Sequence, residues 1–84
     1  MLHIVASKLD DCLRTAQTGD VILLIEDAIY YAEKASTQTQ ELTIYILMED
    51  VVARGWQSKI AGLTPVDYAG FVQLTAQHHP VMNW

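Results

Sequence analysis

Cys12 is the single cysteine of the sequence and, by type, its strongest nucleophile. A sulfur that accepts a terminal sulfur atom and hands it on must be exposed and partly ionised. The surroundings of Cys12 pull both ways. The positive end of the helix expected to hold it favours thiolate, but Cys12 falls about a turn inside that helix, and Asp10 and Asp11 beside it oppose ionisation. Cys12 also shares an apolar stripe with Leu9, Leu13 and Ala16, so its sulfur should turn at least partly toward a core. The expectation is a structural cysteine that is at most an auxiliary sulfur acceptor.

The acidic pairs Glu26-Asp27 and Glu49-Asp50 each follow an apolar run, where open α/β sheets place ligand sites. Such acids could hold Mg²⁺ as in a receiver domain, but that chemistry needs an acidic pair after the first strand and a lysine after the last. Here those positions read Ala6-Ser7-Lys8 and Asn83-Trp84, so helix caps and solvated turns are expected instead. His3, His78 and His79 are not spaced with Cys12 for tetrahedral zinc, and no metal is assigned. Gly19, Gly55, Gly62 and Gly70 stand singly, so there is no phosphate-cradling loop and no cofactor is expected. Tyr30, Tyr31, Trp56 and Trp84 lie near the ends of elements and are the candidate anchors of a subunit interface.

The elements that must position these residues alternate strand and helix. Leu2 to Ala6 reads as a strand, and Ser7 with Asp10 forms a capping-box pattern for a helix running to about Thr18, with Gly19 at its left-handed end. Val21 to Ile25 is the continuous apolar run of a strand buried on both faces. A second helix is expected over Ala28 to about Ala35, with Ser36 to Glu41 as its frayed end or a loop, then a strand over Thr43 to Met48. Asp50 should cap a short helical turn through Ala53, before Gly55. Residues 56 to 63 fit no single element. Thr64, Pro65 and Asp67 look like a helix start, followed by a stripe of Tyr68, Phe71, Val72, Thr75 and Ala76. Pro80 ends that helix, and Val81 to Trp84 suits a last strand. The fold class is therefore α/β: a three-layer α/β/α sandwich around a mostly parallel sheet, in one domain spanning residues 1–84.

A chain of 84 residues buries only roughly 60–65% of its unfolded surface, yet 51% of its residues are apolar. The surplus apolar surface should form contacts with other subunits. The net charge of −5, with five scattered Lys and Arg, argues against direct nucleic-acid binding. The start Met1-Leu2-His3-Ile4-Val5 lacks a signal-peptide pattern and Val21 to Ile25 is too short to span a bilayer, so a soluble, unprocessed cytoplasmic chain with no membrane contact is expected. A lone cysteine fits a reducing compartment.

Several segments together resemble the TusB/DsrH family across nearly the whole chain. They are Met1-Leu2-His3, Gly19-Asp20, Leu23-Leu24-Ile25-Glu26-Asp27-Ala28-Ile29-Tyr30, Asp50-Val51-Val52-Ala53-Arg54-Gly55, Val66-Asp67-Tyr68-Ala69-Gly70-Phe71-Val72, Leu74-Thr75 and Met82-Asn83-Trp84. The resemblance implies a DsrE-like fold and a subunit of a dimer of heterotrimers with TusC- and TusD-like, or DsrF- and DsrE-like, partners. In the Tus branch such a complex takes persulfide sulfur from TusA and passes it to TusE, for 2-thiolation of the wobble uridine of certain tRNAs. In the Dsr branch it delivers sulfur to DsrC in sulfur oxidation. Asp11-Cys12-Leu13-Arg14 is similar to the DsrH branch, and the tail from His79 to Trp84 to TusB. In both branches the main sulfur-carrying cysteine belongs to the TusD or DsrE subunit, which implies a scaffold role for this chain. The rival of another class is a stand-alone receiver-like or ligand-binding domain.

Overall fold

Period-two alternation and continuous apolar runs resolve, in the computed structural model, into one sheet whose strands are all parallel. The structure describes residues 1–38, 41–60 and 62–84. The strands are β1 (Leu2–Val5), β2 (Val21–Leu24), β3 (Thr43–Leu47), β4 (Thr64–Val66) and β5 (Val81–Asn83), in the order β4-β3-β2-β1-β5. Register places Leu2 beside Val21 and Val81, Val21 beside Thr43, and Tyr45 beside Thr64. The central strands β1 and β2 are buried at every position, as strands covered on both faces must be.

Alternate residues divide the core in two. His3 and Val5 of β1, Ile22 and Leu24 of β2 and Ile44 and Ile46 of β3 face α1 (Leu9–Thr15), α2 (Ala32–Gln38) and α3 (Met48–Ala53). Leu9, Cys12, Ala28, Ile29, Ala32, Ala35 and Val51 close that side. On the other face Leu2, Ile4, Val21 and Leu23 meet a single helix, α4 (Tyr68–Gln77), through Leu74 and the half-buried Phe71. Each fully buried Leu or Ile contributes about 1.5–3 kcal/mol, so the better-covered face carries most of the hydrophobic stabilisation. Gly70 lets α4 lie close on β4, since a Cβ there would stand 3.0 Å from the Val66 Cβ.

Several local expectations change for identifiable reasons. α1 ends at Thr15, and Ser7 does not cap it; the N-cap is Lys8, which makes no side-chain cap bond. The main-chain oxygen of Trp84 accepts from the N–H groups of Ala6, Ser7 and Lys8 at 3.1, 3.2 and 3.4 Å, so the end of β5 pins the turn that leads into α1. Gly19, at φ 93°, serves the turn into β2 and not the helix end, which falls at the extended Ala16. The second helix begins earlier than expected as a 3₁₀ segment, Glu26–Tyr31, and runs on to Gln38; the rest of the expected loop, residues 39 and 40, lies outside the described residues. Met48 opens α3 rather than closing β3, and Asp50 caps no helix but accepts the N–H of Glu26 at 2.7 Å. Thr64 and Pro65 form the edge strand β4 where a helix start was expected, and Asp67 takes the capping role by accepting from the Gly70 N–H at 2.8 Å. Gln57–Lys59 is a short 3₁₀ turn. Among the described residues no helix is long and apolar enough to cross a membrane.

Candidate functional site

Cys12 lies on the inner face of α1 and is fully buried, 0% exposed. Burial pushes its thiol up to about 11, with the Asp20 charge adding in the same direction. A thiol in that setting is a weak nucleophile near neutral pH and a good packing residue, filling the space between Leu9 and the β1–β2 face.

The aromatic candidates separate into three places. Tyr30, from the 3₁₀ segment after β2, packs edge-on against Trp56 with ring centroids 4.9 Å apart and planes at 87°. The Arg54 guanidinium sits 5.9 Å from the Tyr30 ring centre and the Lys59 ammonium 4.3 Å from that of Trp56. Arg54 is held there by Asp27 at 3.1 Å and Asp50 at 3.9 Å, while its buried Nε has no partner. The pair borders an open cleft of about 420 Å³ with Glu33, Ser36, Ser58 and Lys59. Tyr31 instead faces a neighbouring cleft of about 360 Å³ between α1 and α2, with Lys8, Arg14 and Lys34 along it. There Lys34 pairs with Asp10 and Arg14 with Asp11. Hydrogen bonding and attraction from Lys34 hold the Asp10 carboxyl below the usual carboxylate range.

Trp84 stands apart from both. Its indole N–H donates to His3 Nδ1 at 3.0 Å, and His3 Nε2 lies 2.9 Å from Asp20 Oδ2. An indole nitrogen can only donate, so Nδ1 accepts and Nε2 carries the proton toward Asp20. Asp20 also accepts from the Gln17 main-chain N–H at 3.0 Å and from the Met1 amino group at 3.3 Å. The Gln17 and His3 bonds lead in lowering its carboxyl to about 2. This chain of bonds joins β1, the turn before β2 and the end of β5, and sequence reasoning missed it: His3 and Asp20 meet only through strand pairing, and no local spacing signals it.

The acidic pairs are absorbed into structure. Asp27 holds Arg54, Asp50 accepts from Glu26, and Glu49 accepts from the Tyr68 N–H at 3.3 Å. Among the described residues no three His, Cys, Asp or Glu side chains converge as metal ligands would.

The site is thus a surface of aromatic and cationic side chains along two neighbouring clefts, with the thiol buried apart from them. The model of the family described as DsrH like protein matches residues 4–81. The chain belongs to the DsrH family. Relatives named TusB, from Escherichia coli O1:K1 and Shigella boydii serotype 18, are each 35% identical over 78 residues, covering 86% of this chain and 82% of theirs. The fold of this DsrH-family chain is also that of protein Tm0979 from Thermotoga maritima, whose solution structure superimposes with a TM-score of 0.68 at 20% identity, over 90% of this chain and 92% of that one.

Proposed function

We propose that the chain is a cytoplasmic subunit of a persulfide-transfer complex of the TusBCD type, supporting 2-thiolation of the tRNA wobble uridine. The carrying observation is membership of the DsrH family together with TusB relatives at 35% identity over most of the chain. In this reading TusC- and TusD-like subunits are its neighbours, a TusA-like protein donates sulfur and a TusE-like protein accepts it. The chain itself serves as scaffold. Its thiol is buried and pushed up to about 11, which supports an auxiliary role at most for Cys12 and fits the sulfur-carrying cysteine that the family resemblance puts on a partner.

The Tyr30–Trp56 pair suits a subunit contact: two rigid aromatic rings at the surface, each with a cation against it, are the composition of an interface anchor. Tyr31 extends that surface, whereas Trp84 acts within the chain through His3.

The test is the 2-thiouridine content of tRNA, measured by mass spectrometry in cells lacking this chain. Loss of the modification, restored by the wild-type gene, supports the proposal. Intact thiolation together with defective oxidation of reduced sulfur compounds would assign the chain instead to the DsrEFH branch and delivery to DsrC, a reading favoured by the cysteine within Asp11-Cys12-Leu13-Arg14.

A further inference from the structure

Charge is unevenly spread over this fold. All five Lys and Arg residues lie about the Tyr30–Tyr31–Trp56 surface: Lys8, Arg14 and Lys34 along the α1–α2 cleft, Arg54 and Lys59 against Tyr30 and Trp56. From Ile60 to Trp84 the only Asp, Glu, Lys or Arg is Asp67, and α4 has none.

At the carboxyl edge of β3 and β4, where the chain enters α3 and α4, lies a groove without a basic residue. One part, of about 510 Å³, is lined by Met48, Pro65, Val66, Asp67 and Gly70. The adjoining part, of about 350 Å³, shares Met48 and Asp67 and adds Glu49 and Val52. Val52 is 53% exposed beside it, and Tyr68 and Val72, one turn apart on α4, are 57% and 62% exposed. The sequence pattern assigned Tyr68 and Val72 to the buried stripe of this helix; the structure gives that place to Leu74 and Phe71 and leaves both outside. Glu49 and Asp67 hold the groove's rim in place, one oxygen of each accepting a main-chain N–H, from Tyr68 and Gly70.

We propose that this groove seats a partner subunit presenting an apolar side chain flanked by Lys or Arg. The proposal rests on the heteromeric reading given above. Its apolar lining suits side-chain packing, and its two carboxylates call for cations that this chain keeps on another surface. A second copy related by a two-fold axis does not fit. A two-fold pairing would set the groove against itself, with Glu49 and Asp67 facing the same carboxylates and no basic residue between them.

The experiment is co-expression of this chain with the TusC- and TusD-like subunits from the same genome, with affinity capture through the TusD-like subunit. Val52→Arg and Val52→Glu remove the same apolar contact from an exposed position but add opposite charges; Pro65→Arg, at an exposed position of the edge strand that lines the groove, tests the β4 side, and Thr18→Arg, at an exposed position in the turn before β2, is the control away from the groove. Circular dichroism of each purified variant establishes that it is folded. Val52→Arg and Pro65→Arg are expected to lower recovery of this chain by about tenfold or more, Val52→Glu by clearly less, and Thr18→Arg not at all. Equal losses for Val52→Arg and Val52→Glu would overturn the basic partner. Full recovery of both Val52→Arg and Pro65→Arg, with wild type assembling, would overturn the groove while leaving the heteromeric reading intact. Failure of wild type itself to be captured would overturn that reading and the proposal with it. A wild-type homodimer in sedimentation that Val52→Arg converts to monomer would make a second copy the occupant, against the proposal.

Discussion

Replacing Trp84 by Phe removes one donor and keeps an aromatic ring. In the native fold the indole N–H is the partner of His3 Nδ1 at 3.0 Å, and His3 is 0% exposed, so the variant leaves a buried acceptor unpaired. Such a loss costs about 1–3 kcal/mol, well above the roughly 0.5 kcal/mol of an ordinary surface change. The main-chain oxygen of residue 84 can still accept from Ala6, Ser7 and Lys8, so the strand end stays docked and the loss isolates the side chain. For a chain of 84 residues the unfolding entropy is about 0.2 kcal/mol per kelvin, which converts that range into a fall in Tm of about 5–15 °C. Thermal and urea unfolding followed by circular dichroism give both numbers. Adding His3→Leu removes the stranded acceptor, so the double variant should be less destabilised than the sum of the two single changes. A Trp84→Phe protein within about 0.5 kcal/mol of wild type, with no coupling to His3, would refute the reasoning.

Asp20 titrates at about 2 in the folded chain, below its ordinary 3.8, so its ionised form contributes stability that is fully present above about pH 4 and lost as pH falls through about 2. In acid unfolding, Asp20→Asn should be less stable than wild type at neutral pH and should flatten the slope across that window. Cys12 is displaced the other way, from 9.0 to about 11, so its contribution is fully present below pH 9 and drains away as pH rises toward 11. Cys12→Ala should abolish that alkaline component, and native wild type should react with a disulfide reagent at pH 8 at least about a hundredfold more slowly than the urea-unfolded chain. Glu26 holds φ 50°, a conformation in which a side chain costs about 1–2 kcal/mol, while its N–H bonds to Asp50. Glu26→Gly should therefore keep or raise stability in urea titrations, and Glu26→Val should lower it.

The strands β1 and β2 and the parallel sheet were legible because fully buried strands write themselves as near-continuous apolar runs, and β3 because Ile44, Ile46 and Leu47 stand among β-branched and aromatic neighbours. Cys12 was readable as a core residue from its i, i+3 relation to Leu9. The ends of elements were less legible. Thr64-Pro65 satisfies a helix start as well as it satisfies an edge strand, where a missing N–H is tolerated, and only pairing with β3 decides it. Ser7 failed as a cap because the helix starts one residue later, with Lys8 at the N-cap, and the Trp84 oxygen, from the far end of the sequence, fixes the turn before it. On α4 the expected stripe held Phe71, which does pack on the sheet, but missed the buried Leu74 and included the exposed Tyr68 and Val72, because apolarity alone does not choose which flank of Phe71 turns inward. The aromatic candidates were visible as types, but that Tyr30 and Trp56 pair while Trp84 turns to His3 depends on contacts between distant segments.

In the proposed complex this chain shapes a sulfur relay without carrying the sulfur. The direct measurement is intact-protein mass spectrometry of every subunit in the reconstituted complex during transfer from the donor to the TusE-like acceptor, for wild type and Cys12→Ser. The expected result is the mass increment of one sulfur atom on the TusD-like subunit and the acceptor, none on this chain, and largely preserved transfer in the variant. A persulfide on Cys12, with transfer abolished by Cys12→Ser in an intact complex, would contradict it.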